Sequence, residues 1–239
     1  MDYDPGQYVG SAAHYLIGRL PYSAKLGDVL ARELGLDGAG HLLDVGCGPG
    51  VLAVQLAPLF ERVTAIDPDP GMIIEARRHA RSSGVAVDLR GVRAEDIRML
   101  ELPQMRAVTF GQSFHRVSRA PVAEAVYDLL EPGGAIVLIS HDIDAGPVPT
   151  GTADPPIPDQ QVQELITRYL GPDRRSGSRL AVISGYLSMS YAAPHLFGRR
   201  LDEFVDELRR LLTAHARTCR FWDWPGDTAA LIPRKPRRS

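Results

Sequence analysis

The chain has 239 residues, 44% hydrophobic and 23% charged, with 29 acidic against 27 basic side chains and a net charge of −2. So even a balance gives no field to gather nucleic acid or an anionic membrane, and no apolar run nears the roughly 18 residues of a membrane span, so neither partner is expected. Cys47 and Cys219 are the only two cysteines, too few for a disulfide framework or a zinc cage, and the acidic, polar start MDYDPGQY reads as no secretory signal, so a reducing, cytoplasmic compartment is expected.

Taken in chain order, residues 11–36 carry Leu16, Ile17, Leu20, Leu26, Val29, Leu30 and Leu34 at a roughly helical period broken by Pro21, which predicts a helical cap over 1–36. Residues 41–45 predict a strand, followed by a glycine-rich turn at 46–50 and a helix over 51–60. A second strand is predicted at 62–67, a helix at 72–81 and a weaker third strand at 85–89. A fourth strand follows at 107–113, then a helix around 122–130, then a fifth strand at 135–140 introduced by Pro132-Gly133-Gly134. Short strands alternating with helices mean βαβ units, hence an α/β fold with a doubly wound, mostly parallel, Rossmann-like sheet.

Beyond Ser140 the pattern changes. Residues 144–159 hold five prolines and read as a linker. Residues 160–171 and 200–216 read as amphipathic helices, the second with Leu201, Phe204, Val205, Leu208, Leu211 and Leu212 on one face. Between them 184–198 is aromatic and polar, and 220–233 reads as a closing pair of strands about Pro225-Gly226-Asp227. The expected organisation is one domain over 1–239: the cap, a ligand-binding core at 37–140, and a lid with closing strands at 141–239.

The chemistry concentrates at Leu42-Leu43-Asp44-Val45-Gly46-Cys47-Gly48-Pro49-Gly50, a buried strand running into Gly-x-Gly-x-Gly and a helix. Glycines there let the backbone approach a ligand and aim helix N–H groups at it. Asp67 closes the second strand about 20 residues on, where a carboxylate can accept both hydroxyls of a ribose. A dinucleotide fingerprint is G-x-G-x-x-G; here the third glycine comes one place early, at Gly50, which disfavours an NAD-dependent oxidoreductase. Cys47 reads as a small core-facing residue rather than a nucleophile.

This spacing resembles motif I of the class I S-adenosylmethionine-dependent methyltransferases, and the resemblance extends over about residues 8–140. Asp67-Pro68-Asp69-Pro70-Gly71-Met72 resembles their ribose-binding acidic loop, Ala94-Glu95-Asp96-Ile97 the segment beside the adenine, and Leu130-Glu131-Pro132-Gly133-Gly134 the lead-in to strand five. His14-Tyr15 and Arg19-Leu20-Pro21-Tyr22 resemble the YY…RPPY entry of small-molecule members, with His14 and Leu20 departing from it. The resemblance implies S-adenosylmethionine as cofactor, S-adenosylhomocysteine as its product, and a contact set drawn from these segments. That set is Tyr15 and Arg19 in the cap; Asp44, Gly46, Cys47, Gly48 and Gly50 in the glycine loop; Asp67, Pro68 and Met72; Ala94, Glu95 and Asp96; and Gln112, Ser113 and Phe114 after strand four.

His115, after strand four, and His141, after strand five, fall beyond neighbouring strand ends and are the candidate proton acceptors for methyl transfer. Relatives often carry F-H-W-x-D where this chain has Phe114-His115-Arg116-Val117. Tyr186, Tyr191 and His195, with Phe197, Phe221, Trp222 and Trp224, could line an apolar substrate pocket or pack the lid. Asp154-Pro155-Pro156-Ile157 only superficially resembles the (D/N)PP(Y/F/W) motif of DNA amino-methylating enzymes, because it follows strand five and Ile157 cannot stack on a flipped base. His141-Asp142-Ile143-Asp144 reads as a turn rather than a cation site, and no metal is expected. The expectation is methyl transfer to a small molecule of specialised metabolism, with O-, N- and C-methylation undistinguished. An exposed aromatic lid is compatible with a homodimer. Transfer to a protein or RNA, or cofactor binding without turnover, are the alternatives.

Overall fold

The computed structural model describes residues 8–19, 21–142, 155–170, 182–216, 221 and 227–237. The chain falls into two compact units, one drawn from Pro21–Asp142 and Asp227–Ser239, the other from Gly6–Leu20 and Ile143–Gly226.

The first unit is a six-stranded sheet: β1 (His41–Val45), β2 (Arg62–Ile66), β3 (Asp88–Arg90), β4 (Met105–Gly111), β5 (Leu130–Asp142) and β6 (Asp227–Leu231). Their order is β3-β2-β1-β4-β5-β6, with β6 alone antiparallel. Because every inner strand is covered on both faces, its side chains divide by alternation. Leu42, Val63, Ala65, Ala107, Val137 and Ile139 pack on one face, against Leu26 and Leu30 of α2 (Leu26–Leu34), Leu52 and Leu56 of α3 (Val51–Leu56) and Ile73 of α4 (Pro70–Ser82). Leu43, Val45, Ile66, Val108 and Phe110 pack on the other, against Ile97 and against Val122 and Val126 of α5 (Arg119–Leu129). The chain winds outward from β1 in one direction and from β4 in the other, so the strand order reverses between β1 and β4 and leaves a crevice at their carboxyl ends.

Strands β3, β4 and β5 differ from expectation, β4 by running two residues earlier at both ends. β3 joins the ladder only at Asp88, opposite Thr64, because Val87 packs against the core instead of pairing. β5 starts at Leu130 and carries Pro132-Gly133-Gly134 within it, with a register shift opposite Met105 and Ala107. Gly133 has φ +88°, and a side chain at Gly134 would lie 2.9 Å from the Met105 carbonyl oxygen, so the irregularity needs both glycines. Of the expected closing pair of strands, β6 is observed, and residues 222–226 lie outside the described residues.

The second unit is helical. α1 (Ala12–Gly18), α6 (Asp159–Leu170), α7 (Val182–Leu187), α8 (Pro194–Phe197) and α9 (Leu201–His215) enclose Val162, Leu165, Ile166, Phe204, Leu208 and Leu212. The rings of Phe197 and Phe204 stack at 4.1 Å. α1 meets α7 at Gly18, where a side chain would strike the Ser184 backbone at 2.3 Å. The first predicted helix thus associates with the carboxyl-terminal helices, whereas the last strand completes the sheet of the first unit. No helix among the described residues is long and apolar enough to cross a membrane.

Candidate functional site

The glycine loop is built from three left-handed residues: Gly46, Gly48 and Gly50 have φ of +66°, +54° and +77°. The Gly46 and Cys47 N–H groups both donate to the Ile66 carbonyl oxygen, at 2.9 and 3.0 Å, which pins the loop to the end of β2. A side chain at Gly46 would come within 2.6 Å of Ser113 Cβ, and one at Gly50 within 3.3 Å of Ala76 Cβ. At Gly48 it would meet nothing within 4 Å. Two glycines therefore serve packing, and the middle one faces open space.

Asp67 follows β2 and is 9% exposed. Its Oδ2 accepts from the Gly48 N–H at 2.9 Å, and its Oδ1 accepts from the Asp69 N–H, also at 2.9 Å. Asp69 in turn caps α4, accepting from the Gly71 and Met72 N–H groups at 2.7 and 3.1 Å. Pro68 is half-buried and Met72 buried in the same turn. Burial raises the Asp67 carboxyl to about 6, against the pull of those two backbone N–H groups and of the Arg116 guanidinium.

Asp44 lies fully buried in β1, accepting from Thr109 Oγ1 at 2.8 Å through Oδ1, while its Oδ2 is buried with no hydrogen-bond partner. Burial again leads, lifting Asp44 to about 7, with a further upward push from Asp67. The Cys47 thiol, buried near both carboxylates, is pushed up rather than activated, and its place in the core accords with a packing residue. An uncompensated buried carboxylate oxygen beside a loop of open backbone suits a ligand that brings a positive charge and hydroxyl groups.

At the far side of the crevice, β4 ends in Gly111, and Ser113 Oγ donates to the Val45 carbonyl oxygen at 2.6 Å, tying this turn to the glycine loop. Gln112 has φ +54°. Phe114 is half-buried, edge-on to Phe110. His115 is exposed on the single helical turn Phe114–Arg116; loss of solvent on one side, then the charges of Arg116 and Arg119, hold its imidazole below the ordinary value. His141, expected beyond β5, lies inside it opposite Thr228 and stacks on the Tyr22 ring at 4.7 Å. Ala94 is buried and Asp96 half-buried on the turn Ala94–Met99, and Glu95 accepts from the Ser118 N–H at 3.0 Å.

The remaining predicted residues belong to the second unit. The Arg19 guanidinium lies 4.9 Å from the Tyr15 ring centroid and donates to the Ser188 carbonyl oxygen at 3.2 Å. Tyr186 and Tyr191 are buried, Tyr186 donating to Asp159 at 2.5 Å, and exposed His195 donates through Nδ1 to the Val9 carbonyl oxygen. Trp222, Trp224, Asp154 and Asp144 lie outside the described residues. Tyr22, in the Arg19-to-Tyr22 segment, stacks on His141, a long-range contact that periodicity does not report.

A family model described as a methyltransferase domain matches residues 42–134, which span β1 to the start of β5. The ubiquinone biosynthesis O-methyltransferase of Xanthomonas campestris pv. campestris is 38% identical over 112 residues, 46% of this chain and 46% of its own. That of Xanthomonas axonopodis pv. citri is 39% identical over 105 residues, 43% and 44% of the two chains. The chain thus spans less than half the length of these curated relatives. A solved structure, a putative type II methyltransferase from Anaeromyxobacter dehalogenans, shares the fold at a TM-score of 0.52 and 20% identity, covering 92% of this chain and 99% of that one.

Proposed function

We propose that the chain is a class I S-adenosylmethionine-dependent methyltransferase and that it transfers the methyl group of S-adenosylmethionine to a small acceptor molecule. The observation that carries this reading is the Asp67–Gly48 arrangement. A buried carboxylate at the end of β2 sits against the one loop glycine with open space above it. Asp67 would accept the ribose hydroxyls, and the free Oδ2 of Asp44 would compensate the ligand's positive charge. Gly46, Cys47, Gly48, Gly50, Pro68, Met72, Ala94, Glu95, Asp96, Gln112, Ser113 and Phe114 are the other candidate cofactor contacts in the first unit, with Tyr15 and Arg19 as candidates in the second. Tyr186, Tyr191 and His195 remain candidate determinants of the acceptor.

When bound, the sulfonium supplies an electrophilic methyl group. The protein's part is to align the acceptor, exclude water and, where the acceptor is protonated, take its proton. His115 suits that last task, because an imidazole held below its ordinary value is neutral at pH 7. An oxygen acceptor is supported by the O-methyltransferase names of the Xanthomonas relatives. A small acceptor is supported by the chain's near-zero net charge, which gives no overall field to gather nucleic acid.

The test is incubation with methyl-labelled S-adenosylmethionine and a panel of small phenols, hydroxy acids and amines, with bulk protein and tRNA alongside. Label in a small compound, lost in His115→Ala and with an acid limb below pH 6.5 in the parent, is the expected result. Label only in protein or RNA would contradict the small-acceptor reading, and full activity in His115→Ala would remove the base.

A further inference from the structure

A second concavity lies at the amino ends of the strands, opposite the glycine loop. β3 first meets β2 at Asp88, facing Thr64, so Arg62 and Val63 at the start of β2 have no partner in β3. The gap between them and the approach to β3 opens a cleft of about 780 Å³, lined also by His41 at the start of β1 and by the second half of α4. That volume suits a small molecule. Its lining residues all belong to the first unit, and none lies in the glycine loop or in the turn after β4. The floor is aliphatic: Val63, Ala80 and Leu89 are buried, and Val85 and Val87 half-buried. No phenylalanine, tyrosine or tryptophan lines it for a base to stack on.

The rim is rich in arginine. Asp88 pairs with Arg90 at 2.7 Å, and Glu61 stands 3.9 Å from Arg62. Arg77 and Arg81, one turn apart on α4, have no acidic partner among the described residues; Arg77 donates to the Leu89 carbonyl oxygen at 3.2 Å. Like charges one turn apart on a helix repel, and an anion held between them offsets that repulsion. Two forked guanidinium groups match one doubly charged phosphate. Glu101, exposed on the approach to β4, is the one lining carboxylate without a partner. We infer that this cleft binds a soluble aliphatic phosphate monoester, its phosphate between Arg77 and Arg81 and its chain along Val63, Val87 and Leu89. The site goes beyond the methyl-donor reading and uses none of the residues on which that reading rests.

The test is calorimetric titration of the parent, Arg81→Gln and Glu101→Gln with hexyl phosphate, inorganic phosphate and hexanol; both substitutions change exposed side chains. Hexyl phosphate should bind once per chain, inorganic phosphate about tenfold more weakly, and hexanol not at all. Arg81→Gln should keep its unfolding temperature and lose about tenfold in affinity for hexyl phosphate. Glu101→Gln should bind it at least as tightly as the parent, and saturating S-adenosylhomocysteine should leave the affinity unchanged. Absence of hexyl phosphate binding would overturn the site. Hexanol binding as tightly would overturn the anion, and inorganic phosphate binding as tightly would overturn the aliphatic floor. Weaker binding in Glu101→Gln would mean that the cleft holds a cation. Parent-like affinity in Arg81→Gln, or displacement by S-adenosylhomocysteine, would put the ligand elsewhere. Retention of the parent but not of Arg81→Gln on vesicles of phosphatidylcholine and phosphatidic acid would replace the soluble ester with a membrane headgroup. Each of these results leaves the methyl-donor reading as it stands.

Discussion

Asp44 and Asp67 hold two carboxyls well above their ordinary values, at about 7 and about 6, because the fold buries both beside the glycine loop. The sign follows from linkage: a carboxyl raised on folding binds protons more tightly in the native state. The stability these groups contribute is complete below the ordinary carboxylate value of 3.8 and is lost as pH rises through about 6 and about 7. The ligand-free protein should therefore lose unfolding temperature between weakly acidic and weakly alkaline buffer. Asp44→Asn, which keeps an oxygen for the Thr109 hydroxyl, should flatten that loss, its advantage over the parent growing as pH rises. A variant whose difference from the parent stays constant with pH would show that Asp44 does not titrate in this window. Under the proposed function the same residue meets a cationic ligand in its ionised form, so the substitution should weaken S-adenosylmethionine even where it stabilises the protein.

Among the elements, the glycine loop separates packing from binding. Gly46→Ala forces a left-handed alanine against Ser113 and should cost roughly 2–4 kcal/mol of stability. Gly48→Ala bears only the backbone penalty, about 1–2 kcal/mol, yet should abolish ligand binding because its methyl group enters the open space of the crevice. Denaturant unfolding beside ligand titration reads both, and a Gly48→Ala protein that binds normally would move the ligand away from this loop. Much of this was legible beforehand. The order of strand, Gly-x-Gly-x-Gly, helix, strand and acid depends on local rules, so the loop and Asp67 could be read directly. The cap of α4, Asp69 followed by Pro70 at the first helical position, follows equally local rules, although the helix was expected only from residue 72. The strained Gln112, the stacking of Tyr22 on His141 and the length of β5 could not be read. Each is set by partners 25 or more positions away in the chain, and periodicity reports which side of an element is apolar without saying what covers it.

For the molecule as a whole, the chain divides its apolar residues between a sheet with two covered faces and a separate helical core. The sequence marks the change of pattern after Ser140, but it does not say that α1 joins the later helices or that β6 returns to the sheet; those are choices of tertiary packing. The helical unit rests on Phe204, fully buried and stacked on Phe197. Phe204→Ala should cost about 3–5 kcal/mol in that unit, seen as earlier loss of protection from amide exchange in α6 and α9. Unchanged protection there would mean that this core carries little of the unit's stability.

Whether the crevice between β1 and β4 binds S-adenosylmethionine, as proposed, is decided by calorimetric titration of the purified protein with S-adenosylmethionine, S-adenosylhomocysteine and NAD. Binding of the first two near micromolar concentrations, weakened in Gly48→Ala, with no heat from NAD, is the predicted result. Binding of NAD alone, or of none of the three, would contradict it.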